Sequence, residues 1–89
     1  MFQKDIEIKN KLGLHARAAA KLVHAAARFK SSIKIRKGNE EVDAKSILGI
    51  LLLAAGPGTM ITLTATGDDE TQAVESIEAL IDSKFDEVE

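Results

Sequence analysis

The segment Met60 to Thr66 alternates without a break, with Ile61, Leu63 and Ala65 on one side and Thr62, Thr64 and Thr66 on the other. Successive side chains of a strand point to opposite faces, so this segment is a strand with one dry face and one wet face. The same period recurs upstream. Phe2 to Lys9 sets Ile6 and Ile8 against Asp5, Glu7 and Lys9; Phe2 falls on the apolar side and Lys4 interrupts it. Ser32 to Lys37 sets Ile33 and Ile35 against Lys34 and Arg36. Gly38-Asn39 is a two-residue hairpin loop whose leading glycine suits a type II′ turn, and Glu40 to Ala44 returns as a short strand anchored by Val42, polar enough for a sheet edge.

The intervening segments change to helical period. Ala16 to Phe29 aligns Ala19, Leu22, Val23, Ala26 and Phe29 on one face, and its seven alanines favour a helix that can lie close to a sheet. The opposite stripe is Arg17, Lys21, His24 and Arg28. It is either an ordinary solvated face or a local basic surface that steers an acidic partner. Ser46 is the expected N-cap of a second helix. From Ile47 to Ala55 that segment is apolar except for Gly49. Ile50, Leu53 and Ala54 can serve a core face, which leaves Ile47, Leu48 and Leu51 either in a helix buried on all sides or in an exposed docking patch. Gly56-Pro57-Gly58 ends it. After the turn Gly67-Asp68-Asp69-Glu70, an acidic-started third helix presents Ala73, Val74, Ile77, Leu80 and Ile81, with Phe85 in line to extend it. The tail from Asp86 to Glu89 is expected to fray.

The order is therefore β-α-β-β-α-β-α. Because every strand has a single apolar face, the sheet should be bare on one side and covered by helices on the other, an α+β arrangement. The helix-length connection between the first two strands leaves room for another strand between them, as in a split β-α-β unit. With 89 residues the chain should be one domain, 1–89, with one core. Its net charge of −2 gives no general footprint for nucleic acid. The lack of cysteine removes disulfide and thiolate chemistry, and two histidines nine apart make a poor metal site. No cofactor or metal is expected. The apolar run at 47–55 is too short to insert in a membrane, and Lys4, Asp5 and Glu7 exclude a signal peptide, so a soluble, cytoplasmic chain is expected.

Gly13-Leu14-His15-Ala16-Arg17 carries the chemistry. A glycine-hinged loop delivers a histidine to the start of a helix, with an arginine two residues on. Imidazole has a pKa of about 6.5, so a large fraction is neutral and nucleophilic near neutral pH. A phosphoryl group on that ring would meet the free N–H groups of Ala16 to Ala18, the positive end of the helix dipole and the Arg17 fork. The spacing alone also allows His15 to be a simple helix cap. His24, in mid-helix, belongs to the basic face rather than acting as a second nucleophile.

These residues resemble the active-site signature of the HPr family, the histidine-containing phosphocarriers of the phosphoenolpyruvate-dependent phosphotransferase system. Lys45-Ser46-Ile47-Leu48-Gly49-Ile50 resembles that family's second signature, around a regulatory serine. The resemblance runs the length of the chain. It implies an open-faced β-sandwich with a four-stranded antiparallel sheet and three helices. It implies that enzyme I phosphorylates His15 on Nδ1, that Arg17 assists at the phosphate, and that the group passes to IIA domains of sugar permeases. The chain would thus be a covalent carrier rather than an enzyme, acting as a monomer. Ser46 would be the target of a serine kinase and phosphorylase, and Ile47, Leu48, Leu51, Lys21 and His24 would contact partners. One departure is Ala18, where the family usually has proline; alanine is a good helix former, so little damage is expected. Two alternatives stay open: a nitrogen-type regulatory relay without sugar transport, and a protein-binding module gated by Ser46.

Overall fold

A computed structural model describes residues 1–86. Its elements run β1 (Phe2–Glu7), α1 (Ala16–Ala26), β2 (Ser32–Lys37), β3 (Glu40–Asp43), α2 (Ile47–Leu53), β4 (Met60–Thr66) and α3 (Glu70–Asp82). The strands form one antiparallel sheet in the order β1-β4-β2-β3. β4 fills the place between β1 and β2 that the long first connection left open. β3 is the polar edge, as its composition implies. Lys37 pairs with Glu40 across Gly38-Asn39, and φ is positive at Gly38 but not at Asn39, as a type II′ turn requires.

The alternation survives intact. Ile6, Ile33, Ile35, Ile61, Leu63 and Ala65 are buried on the helix side, together with Leu22 and Ala26 of α1, Ile50 and Leu53 of α2, and Val74, Ile77 and Ile81 of α3. On the bare side, Thr62 donates to Asp5 across β1 and β4 at 2.8 Å. Lys4, which interrupts the apolar face of β1, is accommodated at its rim by an ion pair with Glu78 of α3 at 2.8 Å.

Several boundaries differ from the sequence reading. β1 stops at Glu7 because Ile8 leaves the ladder to bond Thr59 and Gly58 instead, while its side chain stays buried. β3 ends at Asp43, although Ala44 still donates to Ile33. α1 stops at Ala26; Arg28 and Phe29 donate to the carbonyls three residues back, a tightened exit that leaves Phe29 only partly buried. Ala54 does not join the core. It caps α2 in the left-handed region, φ 52, and is exposed, while Ala55 is buried in its place. Phe85 is fully buried, but by a left-handed turn over Lys84–Asp86 rather than by continuing α3. The rest of the tail expected to fray, from Glu87 onward, lies outside the described residues.

Candidate functional site

The loop before α1 is fixed against the end of α2. Leu14 N–H donates to Ala55 O at 2.9 Å. Gly13 has φ 65, and a Cβ there would sit 2.6 Å from Ala55 O and 2.8 Å from Gly56 Cα, so backbone lies directly on backbone. No other residue fits both constraints. Asn10 Nδ2 closes the loop on Gly13 O at 2.6 Å.

His15 follows as the N-cap of α1, with extended backbone and a half-buried side chain. Its Nδ1 accepts from the amide of Arg17 at 3.3 Å. An accepting Nδ1 is an unprotonated Nδ1, which places the ring proton of the neutral form on Nε2. The first intrahelical bond runs from Ala19 to His15 O. The amides before Ala19 therefore have no helical acceptor. Ala18 is fully buried, so the amides at the surface are those of Ala16 and Arg17, the second of them already given to His15 Nδ1, a narrower set than the three expected. Arg17 is exposed in the first turn. The ring nitrogen thus points at the positive end of a helix, beside an exposed cation. That arrangement suits a group that bears charge after it is bound.

The basic stripe of α1 is not uniformly solvated. Lys21 is half-buried and its Nζ donates to Phe85 O at 2.5 Å. Lys21, His24 and Arg28 form one wall of an open groove of about 540 Å³ against Ala79 and Leu80 of α3. His24 is exposed, and no polar partner holds it among the described residues.

Ser46 caps α2, its hydroxyl accepting from Gly49 N at 3.1 Å. Gly49 gives α2 a close approach to β3: a Cβ would stand 3.1 Å from Val42 Cβ and 3.3 Å from Ser46 Oγ, so both side chains would have to shift by a few tenths of an ångström. Ile50 and Leu53 face the core. Ile47 is 43%, Leu48 65% and Leu51 38% exposed, so the helix is not buried on all sides. Leu52, absent from the expected patch, is 68% exposed and extends it. Its signal was present in the sequence: it lies four residues after Leu48, on the same helical face. Helices α1 and α2 pack against each other, which keeps His15 and the apolar patch on one side of the sheet.

Residues 2–83 match the family model described as the PTS HPr component phosphorylation site. The chain is 49% identical to the phosphocarrier protein HPr of Cupriavidus necator over 89 residues, the whole of both chains. It is 47% identical to the phosphocarrier protein NPr of Shewanella violacea over 85 residues, covering 96% of this chain and 93% of that one. A crystal structure of HPr-C-His from Thermoanaerobacter tengcongensis superposes with a TM-score of 0.96 at 48% identity, covering both chains completely. The fold and the sequence together define a phosphocarrier. The chain belongs to the HPr family of the phosphotransferase system.

Proposed function

We propose that His15 is the residue that carries the phosphoryl group. The observation that supports this most is the direction of its Nδ1, which accepts from the Arg17 amide in the first turn of α1. In the transfer, the Nδ1 lone pair forms the P–N bond as the bond between phosphorus and the donor breaks. Forming that bond takes the Nδ1 lone pair from the Arg17 amide, and the group then lies over the released Arg17 amide and that of Ala16, with the Arg17 fork free to swing onto it. The donor is enzyme I and the acceptors are IIA domains of sugar permeases. Both dock on Ile47, Leu48 and Leu51, extended by Leu52, with Lys21 offering positive charge and His24 a polar contact along α1. Ser46, at the edge of that patch, is the regulatory site.

Labelled phosphoenolpyruvate with enzyme I tests the assignment. Wild type takes up an acid-labile, base-stable label; His15→Ala folds and takes up none; Arg17→Ala is slowed by about 1.5–3 kcal/mol, the scale of a hydrogen bond to a charged group. Undiminished labelling of His15→Ala would refute the assignment. The similarity to an NPr supports a second role, in a nitrogen-type relay. Offering the labelled chain to sugar-permease and nitrogen-type IIA domains separates the two by which collects the label.

A further inference from the structure

The carbonyls at the end of α2 are held by a residue from another element. Lys37, half-buried at the end of β2, donates from Nζ to Leu53 O at 2.9 Å and to Ala54 O at 3.4 Å. These are the last carbonyls of α2, where a cation complements the helix dipole. The clamp falls on an unusual residue. Ala54 holds φ 52, ψ 43 without being glycine, a conformation that an alanine abandons unless its surroundings hold it. The next residue, Ala55, accepts the Leu14 amide, and the residue after Leu14 is His15. Gly13, in direct contact with Ala55 O and Gly56, allows no slack in that junction.

We propose that Lys37 is a positioning residue for phosphoryl transfer. By fixing Ala54 in the left-handed region it orients the Ala55 carbonyl, and through the Leu14 amide it sets the N-cap geometry that aims His15 Nδ1. Among the described residues the hydrogen bonds of Lys37 run to backbone oxygens of Leu53 and Ala54 and not to His15, so its loss should alter the aim of the ring through the backbone. A small displacement of a reacting atom can cost about 100-fold in rate. This inference rests on His15 being the acceptor.

The test is Lys37→Met in the full chain, with the chain as the varied substrate of enzyme I under conditions where wild type and variant are both folded. The expected result is a fall in kcat of about tenfold with KM within about twofold of wild type. Lys37→Arg, which can still reach both carbonyls, restores most of the rate. Lys37→Gln keeps a polar side chain on β2 but is too short to reach α2, and behaves as Lys37→Met; it serves if the latter does not fold. A second readout needs no partner. In the isolated chain, Lys37→Met accelerates hydrogen exchange at the Leu14 amide and shifts the His15 imidazole nitrogen resonances, and leaves the Ile8 amide, bonded to Thr59, unchanged. Wild-type kcat in a folded Lys37→Met, or an unaltered Leu14 amide, or failure of Lys37→Arg to restore the rate would each overturn the proposal. If enzyme I does not label wild type, the assignment of His15 fails instead, and the Leu14 and His15 resonances still decide whether Lys37 holds the loop.

Discussion

Asp69 stands at the N-cap of α3, yet its side chain makes no bond to that helix. Its carboxylate instead accepts from Ser31 Oγ, from Lys30 N at 2.8 Å and from Ser31 N at 3.0 Å. Gly67 makes room for this junction, since a Cβ there would lie 2.6 Å from Ser31 Oγ. The Ser31 hydroxyl first, and then the Lys30 amide, hold the Asp69 pKa below its ordinary value of 3.8. A group with a lower pKa folded than unfolded binds fewer protons in the folded state between the two values. Its stabilisation is therefore complete above the unfolded value and is lost as pH falls through the folded one. Asp69→Asn should be less stable than wild type at neutral pH, and the gap should narrow as pH drops below about 4. Urea unfolding from pH 7 to pH 2 measures this. A gap that stays constant across the range would mean that the charge of Asp69 contributes nothing.

At the scale of elements, α2 divides its work between two faces. Leu48 is 65% exposed, so Leu48→Asp should change stability by no more than about 0.5 kcal/mol. If, as proposed, Leu48 anchors docking of enzyme I and IIA domains, the same change should weaken both, by about 2 kcal/mol or more. Calorimetry with each partner, alongside a melting curve, separates docking from packing. Ser46 gives a complementary expectation. A phosphate at the cap of α2 is favoured by the helix dipole, so the phosphoserine form should keep its fold. It also places about −1.5 to −2 charges beside the exposed apolar patch proposed for docking, where desolvation would oppose docking. Phosphorylated Ser46 should therefore accept phosphate from enzyme I much more slowly at matched ionic strength. Equal rates would leave Ser46 as a cap alone.

Elements such as these were legible because periodicity is local. Ile50 and Leu53 on one face of α2, the alternation of β4 and the capping serine are each set by residues within a few positions of one another. The Gly13 hinge and the His15–Arg17 pairing were legible for the same reason. What could not be read joins distant residues. Lys37 on α2, Lys21 on Phe85 and Asp69 on Ser31 are surface-type residues with nothing nearby to mark their partners. Ala54 was misassigned to the core because alanine carries no signal of a left-handed cap, and Phe85, though buried, was expected to extend α3 because its turn follows from packing rather than propensity.

At the scale of the molecule, β4 lies between β1 and β2, so two of the three strand pairings wait for it. Native-state exchange should find the amides of β4 that bond to β1 and β2 opening only with global unfolding, while edge strand β3 opens earlier. Equal protection of the two would contradict this. The same order has a consequence for how the chain reaches its fold. Phe2 must find Ala65, and Ile6 must find Ile61, across nearly the whole sequence, whereas only the β2–β3 hairpin closes locally. The entropy of closing that long loop falls due before the central pairings return any energy, so folding is governed by non-local contacts and should be slower than in a helical bundle of this length. During synthesis, β1 therefore waits unpaired while α1, the hairpin and α2 emerge, and the sheet is completed only as the last third of the chain leaves the ribosome.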